Sequence, residues 1–159
     1  MKLQIGDNAP NFNLKNQDEK EISFADLKDG WTLLHFYIGN NSPGCINEAT
    51  ILKNSLSEFE RRKTKVIGIT PNSLEKNKIF AKKLDLPFPL LADEKKEIAK
   101  KYGAWGTRNS AGRKFQGVLR KSFLINSEGK IVKVYEKVKP RNHAAEVISD
   151  LIVNKRETA

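Results

Sequence analysis

Hydrophobic and polar positions change period along the chain, and these changes predict strands and helices in turn. The apolar run at residues 31–38 predicts a buried strand, and the β-branched run at residues 65–70 predicts another. Between the two runs, apolar residues recur at steps of three and four after Cys45, which predicts an amphipathic helix; they are Ala49, Leu52, Leu56 and Phe59. This order predicts a sheet with helices packed against it.

The middle of the chain continues the alternation. A helix is predicted after residues 71–73, where Asn72 and Glu75 have capping-box spacing. Residues 86–91 contain too much proline for a central strand and are predicted as an extended connector. The buried side of the predicted helix is formed by Leu74, Phe80, Ala81 and Leu84.

A short helix over residues 95–102 is predicted to be capped by Asp93 and ended by Gly103. Residues 104–117 mix Gly, Ser, Asn, Arg and Lys without a periodic apolar pattern. That segment is therefore predicted to be an irregular, mobile loop close to the working surface.

The final third of the chain predicts a β-hairpin and a helix. Residues 119–125 and 131–135 read as strands joined by a turn-rich link at residues 126–129. Asn142 is predicted to cap the last helix, whose apolar side is formed by Ala144, Val147, Ile148 and Leu151. The predicted fold class is α/β, a central mixed sheet flanked by helices in one domain over residues 1–159.

Composition and charge narrow the possible partners. The 159 residues are 38% hydrophobic and carry a net charge of +10, from 29 basic and 19 acidic side chains. The lysines are scattered, with no block of like charge and no interleaved aromatic stripe, so no nucleic-acid partner is predicted. The first residues lack the apolar run of a secretory signal, and no stretch is long enough to cross a membrane; the predicted location is cytoplasmic.

The chain's one cysteine, Cys45, is the leading candidate for chemistry. It follows a polar, glycine-containing segment at residues 39–44 and begins the first predicted helix. Helix N-termini carry unpaired N–H groups and partial positive charge, so a thiolate is favoured there over a thiol. A single cysteine excludes an internal disulfide and a cysteine-rich zinc site, and no metal is predicted. The competing interpretation is a buried, inert cysteine, which is the common state of this residue type.

Residues 36–49, Phe-Tyr-Ile-Gly-Asn-Asn-Ser-Pro-Gly-Cys-Ile-Asn-Glu-Ala, resemble the active-site loop of peroxiredoxins, in particular the bacterioferritin comigratory protein branch. The resemblance runs nearly end to end and includes residues 6–12, 86–93, 102–106, 120–125 and 143–144. It implies a thioredoxin-like fold and thiol-dependent reduction of hydrogen peroxide and organic hydroperoxides. It also implies that no metal and no bound organic cofactor is needed.

The resemblance assigns roles to individual residues. Cys45 matches the peroxidatic nucleophile, Ser42 stands where the family's usual threonine contacts the sulfur, and Arg120 matches the active-site arginine. A permanently charged guanidinium stabilises both the thiolate and the departing oxygen. Pro43 and Gly44 are expected to shape the peroxide site, since proline fixes φ and glycine permits close backbone approach. Apart from the resemblance, Trp105 is predicted to be a packing aromatic, with the alternative that its glycine-flanked position lines the entrance to the sulfur.

Two positions depart from the family pattern. Ile38 replaces the proline that begins the family's motif, which changes the shielding of the sulfur. Thr50 occupies the place of the resolving cysteine found in many members. A one-cysteine enzyme then requires an external thiol as reductant, whether thioredoxin, glutaredoxin, glutathione or another small dithiol. The sequence leaves monomer and weak homodimer open.

Several residues have alternative interpretations. Ser42 is also a good helix cap, and an arginine such as Arg120 is commonly a surface or ion-pair residue. His35 is predicted to be a hydrogen-bonded core histidine and His143 a surface residue, with neither in catalysis. The rival function is a thioredoxin-like redox sensor or binding module that is oxidised slowly at Cys45, without efficient turnover.

Overall fold

The computed structural model describes residues 2–38, 43–139 and 141–158. Its strands are β1 (Asn13–Lys15), β2 (Glu21–Ser23), β3 (Trp31–Phe36), β4 (Thr64–Thr70), β5 (Leu90–Ala92), β6 (Trp105–Ser110), β7 (Arg113–Val118), β8 (Ser122–Ile125) and β9 (Ile131–Tyr135). Its helices are α1 (Pro43–Asn54), α2 (Leu56–Arg61), α3 (Leu74–Leu84), α4 (Glu97–Lys101) and α5 (His143–Thr158), with a 3₁₀ turn at Phe24–Leu27.

The central sheet has the strand order β5-β4-β3-β8-β9. Strands β3, β4 and β5 run parallel, whereas β8 is antiparallel to β3 and β9 is antiparallel to β8. This confirms the predicted mixed sheet flanked by helices. The register of β3 on β8 places His35 opposite Ser122.

Alternate residues of β3 supply two separate cores, one on each face of the sheet. Leu33 and Tyr37 pack under α1, α2, α3 and α5, while Leu34 and Phe36 pack against α4 and the N-terminal strands. This period of two is what a strand buried on both faces requires. His35 lies on the same face as Leu33 and Tyr37, and its side chain is fully buried there.

The clearest error in the sequence prediction concerns residues 104–117. This segment is not an irregular loop: β6 and β7 form an antiparallel hairpin in which Ser110 pairs with Arg113. The intervening Ala111 and Gly112 both have positive φ, 51° and 78°, as the tight turns that join hairpin strands require. Most of β7 is exposed, so its side chains lack the apolar alternation by which half-buried strands are recognised.

Smaller corrections affect element boundaries. The strand predicted over residues 119–125 begins at Ser122, so Arg120 lies in the link between β7 and β8. The cap of α3 is Ser73, whose hydroxyl accepts the Lys76 N–H, rather than Asn72. Part of the predicted connector forms β5, which as an edge strand tolerates the preceding prolines.

Two capping predictions are confirmed. The carboxylate of Asp93 accepts the N–H groups of Ile98 and Ala99 at 3.3 and 2.9 Å, although helix α4 itself is shorter than predicted. Gly103 follows α4 with φ of 69°, a conformation that favours glycine. Helix α5 begins directly after Asn142, and its predicted apolar side packs into the core.

Candidate active site

Cys45 lies in the first turn of α1, as predicted. Pro43 is the first residue of the helix, where the missing N–H of proline removes no intrahelical bond. The Cys45 side chain is fully buried beneath this turn. Ser42, predicted to contact the sulfur, lies outside the described residues.

Arg120 reaches the sulfur from the β7–β8 link. Its Nη2 donates to Cys45 Sγ at 3.5 Å, and a quarter of the Arg120 side chain is exposed. The guanidinium rests directly on Gly44: a Cβ at that position would stand 2.8 Å from Nη1 and 2.9 Å from Nη2. Gly44 therefore makes room for the cation that faces the sulfur.

Glu48 connects the arginine to the interior. It lies three residues after Cys45, so the two side chains share one face of α1, and both are buried. Glu48 Oε1 forms an ion pair with Arg120 Nε at 3.9 Å, while Oε2 lies 3.1 Å from His35 Nε2. The carboxylate thus has a cationic neighbour on one side and an imidazole on the other.

The polar contacts continue beyond His35. His35 Nδ1 is hydrogen-bonded to the Ser122 hydroxyl, and the same oxygen lies 2.8 Å from His143 Nε2. His35 is the hydrogen-bonded core histidine that the sequence predicted. His143 is not a surface residue: it is 3% exposed, because the first turn of α5 faces the sheet. Burial, and secondarily the charge of His35, lowers the pKa of His143 from 6.5 to about 3.

Tyr37 adds a buried phenol to the same face of β3. Burial raises the pKa of Tyr37 well above its usual value, and the charges of Glu48 and Cys45 raise it further. Its hydroxyl finds no hydrogen-bond partner among residues 2–38, 43–139 and 141–158. The Tyr37 ring meets the His35 ring edge to face, with centroids 4.3 Å apart.

No role for Glu48, Tyr37 or Ser122 was predicted from the sequence. A signal for Glu48 was present in its spacing of three from Cys45 on a helix. Ser122 had no such signal, because its approach to His35 depends on the pairing of β3 with β8. Trp105 begins β6 and is partly buried against the core that contains Phe36.

This arrangement favours chemistry at an anionic sulfur. A guanidinium that keeps its proton stabilises negative charge on Cys45 and on any atom that departs from it. The α1 N-terminus contributes partial positive charge in the same place. Among the residues described, no cluster of three or more His, Cys, Asp or Glu side chains has the arrangement of a metal site.

A family model described as the AhpC/TSA family matches residues 5–134. The chain belongs to this family. A relative from Bacillus subtilis named peroxiredoxin Bcp is 34% identical over 151 residues, covering 95% of this chain and 96% of the relative. The 159-residue chain is accordingly a peroxiredoxin, a thiol-dependent peroxidase that reduces peroxides through a cysteine.

Solved structures agree with this assignment. A cysteine-to-serine mutant of PrxQ from Xylella fastidiosa superimposes with a TM-score of 0.90 at 26% identity, covering 98% of this chain and 99% of that one. The bacterioferritin comigratory protein of Xanthomonas campestris, described as active in alkyl peroxide reduction, gives a TM-score of 0.84 at 24% identity, over 90% and 91% of the two chains. The thioredoxin-like fold of this peroxiredoxin is therefore confirmed.

The family supplies two partner classes, a peroxide substrate and a thiol reductant. Across the part of the peroxiredoxin chain that the structure describes, no helix combines the length and apolar character needed to span a bilayer.

Proposed function

We propose that Cys45 is the peroxidatic nucleophile of this peroxiredoxin and that Arg120 stabilises both the thiolate and the transition state. The observation that carries the proposal is the 3.5 Å contact between Arg120 Nη2 and Cys45 Sγ. A planar, permanently charged donor group suits this role because negative charge moves from sulfur to the departing oxygen during the reaction. Ser42, Pro43, Gly44 and Trp105 are proposed to complete the peroxide site.

The proposed reaction is a displacement at oxygen. The Cys45 thiolate attacks one oxygen of ROOH, an S–O bond forms, and the O–O bond breaks. The departing RO⁻ takes up a proton and leaves as ROH, and Cys45 becomes a sulfenic acid. Sulfur is oxidised by two electrons and the peroxide is reduced by two.

An external thiol then resets the sulfur. Its thiolate attacks the sulfenic acid, water leaves, and a mixed disulfide forms at Cys45. A second thiol releases Cys45 and carries away the disulfide. Cys45 is the one cysteine of these 159 residues, so both thiols come from the reductant, which we propose to be thioredoxin, glutaredoxin or a small thiol.

The full burial of Cys45 sets a requirement for that second stage. A peroxide is small, whereas a thiol reductant must contact the sulfur directly. We therefore propose that the first turn of α1 opens locally once the sulfenic acid has formed. Faster amide exchange at residues 44–48 in the oxidised than in the reduced protein is the expected sign.

The decisive experiment compares Cys45→Ser and Arg120→Lys with the parent protein in a peroxide-consumption assay with a panel of thiol reductants. Cys45→Ser removes the nucleophile and should abolish turnover. Arg120→Lys keeps the charge but loses the planar fork, and a fall of about tenfold to a thousandfold in rate is expected.

Arg108→Lys is the matched control, because Arg108 lies on the exposed β6–β7 hairpin. It should leave the rate unchanged. If Cys45→Ser and Arg120→Lys both match the parent, Cys45 and Arg120 are not the reacting pair. A parent protein that is oxidised once by peroxide but not turned over by any reductant would instead support the redox-sensor function.

The biological setting follows from the same proposal. We propose a cytoplasmic antioxidant enzyme, built as one domain and working as a monomer or weak homodimer. Alkyl hydroperoxides are the first substrates to test, since the Xanthomonas campestris protein is described as reducing alkyl peroxides.

A further inference from the structure

A buried line of polar side chains leads away from the reactive sulfur on one face of the sheet. Beyond Arg120, it runs through Glu48 of α1, His35 of β3, Ser122 of β8 and His143 at the start of α5. Each of these last four side chains is at most 3% exposed. Buried polar groups destabilise a core unless they are partnered, so a line drawn from four separate elements calls for a functional explanation.

The hydrogen-bond donors of this line can be counted. The Glu48 carboxylate only accepts, so His35 Nε2 carries a hydrogen and donates to Oε2. The Ser122 hydroxyl has one hydrogen to share between His35 Nδ1 and His143 Nε2. If His35 is an imidazolium, Nδ1–H donates to Ser122 and the Ser122 O–H donates to His143. If His35 is neutral, Nδ1 accepts the Ser122 hydrogen, and a neutral His143 donates from Nε2 to the Ser122 oxygen.

Only one of the two histidines can be protonated without loss of a bond. Were both imidazolium ions, both would donate to the Ser122 oxygen and its own hydrogen would lack an acceptor. The lowered pKa of His143 keeps that ring neutral and able to accept. The arrangement therefore leaves His35 as the histidine that can gain or lose a proton while all its hydrogen bonds persist.

The net charge of the buried site indicates why His35 should gain or lose a proton. With Cys45 as a thiolate, the buried site holds two negative charges, on Cys45 and Glu48, against the single positive charge of Arg120. Protonation of His35 makes the total zero. With Cys45 as a thiol, the total is zero when His35 is neutral. Because uncompensated charge is strongly disfavoured in a low-dielectric interior, the proton count of His35 should follow the charge of the sulfur.

We propose that His35 is a positioning residue for the peroxidase reaction, which holds Glu48 toward Arg120 and compensates the Cys45 thiolate by becoming an imidazolium. This rests on the proposed function of Cys45 and Arg120 and adds the residue that keeps their charges in balance. When the thiolate becomes a neutral sulfenic acid, the positive charge of His35 is no longer compensated by the sulfur. His35 then releases its extra proton, through rearranged hydrogen bonds or solvent, as the departing oxygen is protonated.

The groups that face His35 are consistent with this role. The cation Arg120 contacts Glu48, and Glu48 in turn contacts His35, so the carboxylate lies between the two groups. His143 is neutral, and Tyr37 keeps its phenolic proton because its pKa is raised. The titratable and charged side chains around this line are Tyr37 directly after β3, Cys45 and Glu48 from α1, Arg120 from the β7–β8 link, Tyr135 from β9, and His143 and Glu146 from α5.

The first test is His35→Gln, whose amide can still donate to Glu48 but cannot become a cation. Thiolate formation at Cys45 is followed by ultraviolet absorbance against pH, with Cys45→Ser as the blank, alongside the rate of reaction with peroxide. The pH midpoint should rise by about one unit, and the rate at pH values below the parent's midpoint should fall about tenfold and recover at high pH.

His143→Gln is the matched control, since it exchanges one neutral partner of Ser122 for another. Its pH midpoint should match that of the parent. An unchanged midpoint in His35→Gln overturns the proposal, whether the rate is unchanged or falls equally at every pH, because the second result would show a structural role alone.

The second test follows the protonation of His35 directly, through the NMR resonances of its imidazole ring against pH. The chain has two histidines, so the imidazole resonances can be assigned with His35→Gln and His143→Gln. Coupling between two sites is reciprocal, so removal of the thiolate in Cys45→Ser should let His35 lose its proton about one pH unit lower than in the parent. Equal titration of His35 in both proteins overturns the proposal. Activity remaining in Cys45→Ser would reject the proposed function itself, which distinguishes the two failures.

Discussion

Two polar regions of this peroxiredoxin differ in almost every physical respect. The line from Glu48 to His143 lies inside the fold, and its side chains hydrogen-bond one another. In the β6–β7 hairpin, strand β7 carries exposed polar side chains, and even Phe115 is 44% exposed beneath the guanidinium of Arg108, whose central carbon lies 5.6 Å from the ring centroid. Similar residue types thus occur in opposite environments.

The difference shows which polar side chains depend on a particular partner. A buried polar side chain has lost water and depends on a particular partner, so its removal or its change of charge destabilises the fold or alters the site. An exposed polar side chain exchanges its partner for water at little expense in free energy. Substitutions in the buried line should therefore have large, specific effects, and matched ones in the hairpin small effects.

The largest expected effect is on the pH dependence of the free energy of unfolding, and it arises from the buried His143. Its pKa is about 3 in the folded protein and near 6.5 when unfolded. Between these pH values the unfolded chain binds a proton that the folded chain excludes. The stabilisation is fully present above pH 6.5, and the free energy of unfolding should fall by about 3–5 kcal/mol as the pH drops toward 3.

Urea unfolding at a series of pH values measures this contribution. His143→Gln keeps a hydrogen-bonding side chain beside Ser122 but cannot titrate, so its free energy of unfolding should fall less steeply over the same pH range. Acidic groups with shifted pKa values contribute equally to both proteins and cancel in the comparison. Parallel curves for the two proteins would contradict the buried, neutral state of His143.

A pair of glycines gives the next comparison. In Gly44→Ala the new methyl group would stand 2.8 Å from Arg120 Nη1, so the guanidinium must move away from the sulfur. The rate with peroxide should fall about tenfold to a hundredfold. Stability should change by less than about 1 kcal/mol, because the displaced atoms end a flexible side chain and alanine favours the helix.

Gly117→Ala is the control from the hairpin. Its methyl group would also meet side chains, Phe115 at 3.3 Å and Arg108 at 3.4 Å, but these lie in the exposed hairpin. The peroxidase rate should therefore match that of the parent. Equal losses of activity in the two variants would mean that the contact of Arg120 with Gly44 has no particular importance.

The same contrast explains what could be predicted from sequence. Strands β3 and β4 and the apolar faces of α1 and α5 were predictable, because buried strands and helix faces require apolar residues in recognisable patterns along the sequence. Cys45 was recognisable from its place between a strand and a helix and from the family motif. Its surroundings were less accessible, because His35, Ser122 and His143 come together only through strand register and helix packing.

The hairpin was missed for the opposite reason. Residues 105–118 bury little apolar surface along β7, so they carry no alternating pattern, and their turn is Ala111-Gly112 rather than the familiar Asn-Gly. The error in His143 has a third cause. A histidine beside a cap appears exposed until the packing of α5 against the sheet is known.

The smallest expected effect concerns the Ala111-Gly112 turn of the hairpin. Ala111 has φ of 51°, a left-handed conformation in which a Cβ is unfavourable and which asparagine tolerates better. Ala111→Asn should therefore stabilise the hairpin by up to about 1 kcal/mol and slow amide exchange in β6 and β7 severalfold. Gly112→Ala places a methyl group at φ of 78° and should accelerate the same exchange. Peroxidase activity should be equal in both variants, because the hairpin side chains take no part in the charge balance around Cys45; a change in the pH profile of either would remove the distinction between the two regions.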